Sequence, residues 1–196
     1  MAEEKRKGGG GKLARSETVT VRLDQKLRYL AELAARKQRR TVSSFIEWAV
    51  EQSFSGVNLY QGTGYNGDDN VTVEHEAARL WDIDDAERFV RLAILYPDLL
   101  THDGQVRWKV LTDSGILTPA RQRIGMSKQV SWQWDILEDF VFPALRREWE
   151  SLNRFIDDDK GQEWVEATQK ALKAGTVFHA KPPTLVEEDD DSEIPF

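Results

Sequence analysis

Two stretches of this sequence group side chains in patterns suited to chemistry, and they lie at opposite ends. Near the start, Thr18-Val19-Thr20-Val21-Arg22-Leu23 alternates strictly. Thr18, Thr20 and Arg22 therefore share one face of an extended strand, and Val19, Val21 and Leu23 share the other. One face offers two hydroxyls and a guanidinium to a partner, while the other needs an apolar cover. At the far end, six acids in Glu187-Glu188-Asp189-Asp190-Asp191-Ser192-Glu193 run directly into Ile194-Pro195-Phe196. No Ser/His/Asp grouping or carboxylate pair stands out, so no catalytic residues are expected. Gly62-Thr63-Gly64-Tyr65-Asn66-Gly67 fits a dinucleotide string, but no convincing strand precedes it and Asp68-Asp69 would repel a phosphate. The Gly8 to Gly11 run with Lys12 lacks phosphate-loop spacing. His75, His102 and His179 are scattered without metal-ligand spacing, and Asp157-Asp158-Asp159 reads as a solvated loop between helices. No metal and no cofactor are expected.

The chain that positions these groups has 196 residues, no cysteine and a net charge of −7. That length suits one or two domains with a real core. Without cysteine there is no disulfide, thiolate zinc site or catalytic thiol. No apolar run approaches the ~20 residues that span a bilayer, and the start lacks a secretory apolar region. A cytoplasmic protein without a membrane partner is the expectation. The mean charge hides a polarity. Residues 1–50 carry twelve Lys/Arg against six Asp/Glu, residues 51–186 carry 15 against 22, and the last ten carry six acids and no base. A basic head, a mildly acidic body and a very acidic tip suggest different partners at the two ends, with nucleic acid at the head.

Periodicity divides the chain into five parts. Residues 1–16 read as a flexible basic arm, because four consecutive glycines support neither helix nor strand. Residues 17–54 hold the strand and two helices. Asp24 caps the first, in which Leu27, Leu30, Ala31, Leu33 and Ala34 recur at helical spacing up to Lys37. After the turn Gln38-Arg39-Arg40, Thr41 caps the second, with Val42, Phe45, Ile46, Ala49 and Val50 as its stripe. Residues 55–71, rich in Gly, Asn and Asp, read as a linker. Residues 72–174 form a mainly helical domain. Thr72 caps a helix to Trp81, and Asp82 or Asp84 caps another to Tyr96, stopped by Pro97. Residues 105–111 fit a strand or a short helix equally. Ser127 opens a long helix to Ile156 that Pro143 should kink, and a last helix spans 162–173 before Gly175. Residues 175–196 read as a disordered acidic tail. The seven tryptophans fall mostly at helical spacing and read as core or interface, although such rings can also stack single-stranded bases.

One amphipathic strand with two helices cannot close a core alone, and its edge groups need a pairing partner. A second copy is the simplest remedy: two strands form an antiparallel ribbon and four helices cover its apolar face. On Val19-Thr20-Val21-Arg22-Leu23-Asp24, Leu27, Leu30, Leu33, Arg39-Arg40-Thr41, Val42-Ser43 and Ile46, the segment 17–54 resembles the ribbon-helix-helix family, which includes Arc, MetJ and CopG. Where that family usually has glycine in the turn, this chain has Gln38-Arg39. The resemblance implies a homodimer or higher oligomer whose ribbon enters the major groove of duplex DNA. It implies base contacts from Thr18, Thr20 and Arg22, with Arg22 suited to guanine O6 and N7. It also implies a phosphate held by the Thr41 hydroxyl and the N–H groups of Val42 and Ser43, with Arg39 and Arg40 adding charge.

The segment ending in Ile194-Pro195-Phe196 is similar to the acidic tip of bacterial single-stranded-DNA-binding protein (SSB). By that resemblance Asp189, Asp190, Asp191, Glu193, Ile194, Pro195 and Phe196 form a docking tip for replication, recombination and repair proteins that bind SSB. A terminal Phe would join a large apolar side chain to a carboxylate, which suits a pocket with a basic lip. Pro195 restricts the backbone before it and lowers the entropy lost on docking. The expected whole is a mainly α protein: a dimeric ribbon-helix-helix head, a helical body and disordered termini. The expected function is a transcriptional or plasmid/phage-type DNA regulator. The alternatives are a DNA-maintenance adaptor or SSB mimic, and an antitoxin whose body neutralises a partner protein.

Overall fold

The computed structural model describes residues 19–60, 70–124 and 129–178. It is mainly helical, and the chain divides into two compact units between Gly56 and Val57. The first unit is a helix pair. Helix α1 (Gln25–Lys37) begins where the Asp24 carboxylate accepts from the N–H groups of Lys26 at 2.9 Å and Leu27 at 3.0 Å. Helix α2 (Val42–Ser53) begins at Thr41, whose Oγ1 accepts from the Ser44 N–H at 3.1 Å. Each cap satisfies donors that the first turn leaves without an intrahelical partner. Ala31 and Ala35 are buried, and α1 packs on α2. Among the described residues, 19–24 have no ladder partner.

The second unit opens with a small antiparallel ribbon. Strand β1 (Asn58–Tyr60) pairs with β2 (Val71–Thr72), so the ends of the expected linker are ordered against each other. Thr72 then caps α3 (Val73–Leu80), and Asp84 rather than Asp82 caps α4 (Asp85–Leu95), its Oδ1 accepting from the Glu87 N–H at 3.0 Å. The undecided stretch 105–111 lies inside a helix, α5 (His102–Ser114), capped by Thr101 and stopped at Gly115 with φ 80°. On this helix Trp108 meets Phe89 and Trp132, Val110 lies against the start of the last helix, and Val106 is exposed.

The long helix expected from Ser127 to Ile156 is corrected. Strand β3 (Arg121–Ile124) pairs in register with β4 (Gln129–Trp132), from Arg121 opposite Trp132 to Ile124 opposite Gln129. The helical run starts only with a single turn, α6 (Trp134–Ile136), passes through a wide π turn over 137–141 and continues as α7 (Phe142–Asp157). Pro143 sits in the first turn of α7, directly after the π turn. Proline lacks an N–H and crowds the carbonyl four residues back, and the wider turn relieves both problems. Helix α8 (Gly161–Lys173) follows a turn in which Asp159 adopts φ 57°. A Cβ on Gly161 would lie 2.9 Å from Val110, so glycine is what lets the start of α8 approach α5 this closely.

The core lies where α4, α5, α7, α8 and the π turn converge, around Val90, Leu111, Ile116, Leu137, Val141, Phe142, Leu145, Leu152 and Trp164. The expected disordered tail is corrected at its beginning. Gly175 ends α8 with φ 71°, Val177 and Phe178 pack against the core, and the Val177 carbonyl accepts from Arg147 Nη2 at 2.6 Å. The expected arm at 1–16, the dinucleotide-like string and the acidic tip lie outside the described residues.

Candidate nucleic-acid interface

Arg22 and Thr20 are exposed on the extended segment that precedes the Asp24 cap, while Thr18 lies outside the described residues. Among the described residues Arg22 has no hydrogen-bond or ion-pair partner. None of its five guanidinium donors is used by another described residue. On the same segment Val19 is 78% exposed and Val21 60%. Leu27, Leu30 and Leu33, along one side of α1, are also uncovered, as are Val50 and Phe54 at the end of α2. Isolated exposed aliphatics are ordinary on a protein surface. A set that includes an extended segment with no strand partner among the described residues is not.

The turn between α1 and α2 brings the second group of candidate residues together. Gln38 N–H donates to the Ala34 carbonyl at 3.0 Å, Arg39 N–H to Arg36 at 3.1 Å and Arg40 N–H to Ala35 at 2.9 Å. These bonds close a Schellman motif in which Arg39 takes φ 56°, the left-handed conformation that glycine adopts without cost. The turn geometry is thus made by an arginine. Arg40 instead lies over the Trp48 ring, 5.4 Å from its centroid, and Trp48 contacts Phe45 at 5.7 Å. Thr41 uses its Oγ1 as an acceptor for Ser44, which leaves the hydroxyl proton free to donate. The N–H groups of Val42 and Ser43 are the first two of α2 and have no intrahelical acceptor. With two arginines beside it, this helix start can hold an anion.

The second unit carries a different kind of polar centre. Glu87 is buried and ion-paired with Arg146, with Arg91 at 3.8 Å. Arg91 also reaches Glu138 at 3.3 Å and lies over the Trp134 and Phe142 rings. This network ties α4 to α7 and to the π turn. Glu76, also buried, accepts two bonds from Arg79 at 3.1 and 3.0 Å. Burial and the neighbouring Glu76 carboxylate push the Tyr96 phenol above its usual value, an effect that Arg79 partly opposes. These groups are paired with one another. Among the described residues no cluster of His, Asp and Glu could hold a metal ion, and no helix is long and apolar enough to cross a membrane.

The tryptophans largely serve packing. Trp164 is buried, and Trp108, Trp132, Trp134 and Trp149 pack against the core, with Trp108 and Trp132 in contact at 6.0 Å. Trp81 differs, being 69% exposed beside the equally bare Ile83. One set of residues was invisible to sequence reasoning: Phe89, Arg107, Trp149 and Asn153 meet from α4, α5 and α7 around an open groove of 530 Å³. They are separated by up to 64 positions, and no local spacing announces them. Comparison with protein-family models, with curated proteins and with solved structures finds no match to this chain.

Proposed function

We propose that this chain is a homodimeric duplex-DNA-binding protein of ribbon-helix-helix type that acts as a transcriptional or plasmid/phage-type regulator in the cytoplasm. The observation that carries the reading is the uncovered apolar face of the first unit. Val19 and Val21 lie bare on an extended segment whose ladder groups have no strand partner among the described residues, next to bare Leu27, Leu30 and Leu33. A second copy supplies both a strand partner and the apolar cover, a cost in exposed surface that no single helix pair removes. With Val19 and Val21 turned into that dimer core, Thr18, Thr20 and Arg22 face outward together. They read base edges in the major groove, and the start of α2, with Arg39, Arg40, Thr41, Val42 and Ser43, sits on a phosphate.

In the same proposal the acidic-apolar segment, through Asp189, Asp190, Asp191, Glu193, Ile194, Pro195 and Phe196, docks proteins that bind SSB. Its acids steer it to basic surfaces and its apolar residues anchor it.

Footprinting of genomic DNA with the purified protein tests the first part. Discrete protected duplex sites are expected, and a uniform single-strand preference would contradict the reading. A pull-down with an SSB-docking enzyme tests the second part. Removing Pro195 and Phe196 abolishes capture on this reading, and undiminished capture would reduce the segment to a solvating tail.

A further inference from the structure

The groove on the second unit has the chemistry of a peptide site. Its walls are Phe89 and Leu92 of α4 and Trp149 of α7, and Leu80 adds apolar surface at one end. Arg107 of α5 lies across it with its guanidinium carbon 5.3 Å from the Phe89 ring centroid and 5.7 Å from that of Trp149. Its Nε donates to Asn153 Oδ1 at 2.9 Å. Two aromatic faces and an amide therefore fix this cation in place. Among the described residues no carboxylate pairs with it. The neighbouring Arg88 is different: it is ion-paired with Asp85, and its Nη1 donates to the Asp82 carbonyl at 2.6 Å. Arg88 also lies over the Trp81 ring at 4.7 Å, holding that exposed indole beside the groove. The groove thus joins apolar walls to one pre-positioned, uncompensated positive charge. A pinned arginine of this kind loses little entropy on meeting a carboxylate.

We propose that the segment 187–196 of this chain docks in that groove, its apolar Ile194-Pro195-Phe196 against Phe89, Leu92 and Trp149 and an adjacent carboxylate on Arg107. Charge and reach both support this occupant. The segment supplies six acids beside three apolar residues, which complements a cation set in aromatic walls. The described chain leaves the body beside α7, where Arg147 Nη2 holds the Val177 carbonyl at 2.6 Å. Trp149 and Asn153 belong to the same helix, and Asn153 is about 9 Å along it from Arg147 at the α-helical rise. Residues 179–186 then span up to about 26 Å. A tethered segment within such reach has an effective concentration on the order of millimolar, so a weak site is occupied. Docking in this groove withholds the segment from other proteins until they compete for it. The inference does not depend on DNA binding by the first unit.

The test is site-specific cross-linking in the full chain, with a benzophenone amino acid in place of Ser192 and mass spectrometry of the products. Cross-links are expected in the stretches 88–92 and 149–153, within one copy or between copies. Arg107→Gln should weaken the site about tenfold, the loss of one charge-assisted pair, and lower their yield by up to that factor. Excess free peptide of residues 187–196 should displace them in the unaltered groove, a readout that stands even where Arg107→Gln perturbs folding. Cross-links confined to other surfaces, or groove cross-links that resist both the substitution and the peptide, would overturn the proposal. Duplex binding measured on Arg107→Gln should be unchanged, which keeps this outcome separate from that of the DNA reading.

Discussion

The N–H of Arg40 donates to the carbonyl of Ala35 at 2.9 Å, and closing that bond places Arg39, between them in the turn, at φ 56°. A side chain in the left-handed region costs roughly 1 kcal/mol relative to glycine. Arg39→Gly should therefore stabilise the first unit by up to about 1 kcal/mol in denaturant unfolding at fixed protein concentration. On the proposed DNA reading it should also weaken duplex binding and reduce the salt dependence by about one counterion, because that reading places the Arg39 charge on a phosphate. Stabilisation without any change in salt slope would remove Arg39 from the DNA contact.

Val21 is 60% exposed in one chain and belongs to the dimer core in the proposed assembly. Sedimentation should give the intact protein about twice its 22.5 kDa chain mass. Val21→Glu would place a charge in that core and should return the protein to the single-chain mass, with loss of duplex binding. Equal masses for the two proteins would contradict the dimer core.

Glu87 lies buried between Arg146 and Arg91 at the junction of α4 and α7. Removing one member of a buried pair leaves the other charge uncompensated. Glu87→Ala should cost about 3 kcal/mol in urea unfolding, discounted for the half-exposed Arg146. A loss below about 1 kcal/mol would show that water or relaxation already satisfies these arginines.

Tyr96 links stability to pH. Burial and Glu76 raise its folded value above the unfolded one near 10. The folded chain therefore favours the neutral phenol. That contribution is complete below the unfolded value and is lost as pH rises through the higher folded value. Unfolding midpoints should fall above about pH 10, and Tyr96→Phe should make that fall shallower. An identical alkaline profile for the variant would exclude Tyr96 as its source.

Local chemistry made some of this architecture readable in the residues. Asp24, Thr41 and Thr72 each stand before an apolar helical period, and each accepts from a first-turn N–H. The rest was hidden. Trp132 and Trp134 lead into Leu137, Phe140, Leu145 and Trp149, so the sequence from Ser127 reads as one helical period, although 129–132 pairs with 121–124 in a hairpin. The π turn before Pro143 answers a backbone conflict whose resolution depends on the packing of Leu137 and Val141. In the head, the turn that usually needs glycine is closed by Arg39. The groove around Arg107 is built from three helices, so it exists only once α4, α5 and α7 have packed.

The most direct test of the central claim is fluorescence anisotropy on a footprinted duplex site, comparing the intact protein with Arg22→Ala at one salt concentration. A bidentate arginine–guanine contact is worth about 1–3 kcal/mol. The account predicts affinity for that site falling by roughly 5- to 150-fold per contact, convergence toward the affinity for unrelated duplex, and an unchanged dimer mass. Unchanged affinity and unchanged discrimination between the site and unrelated duplex would contradict it.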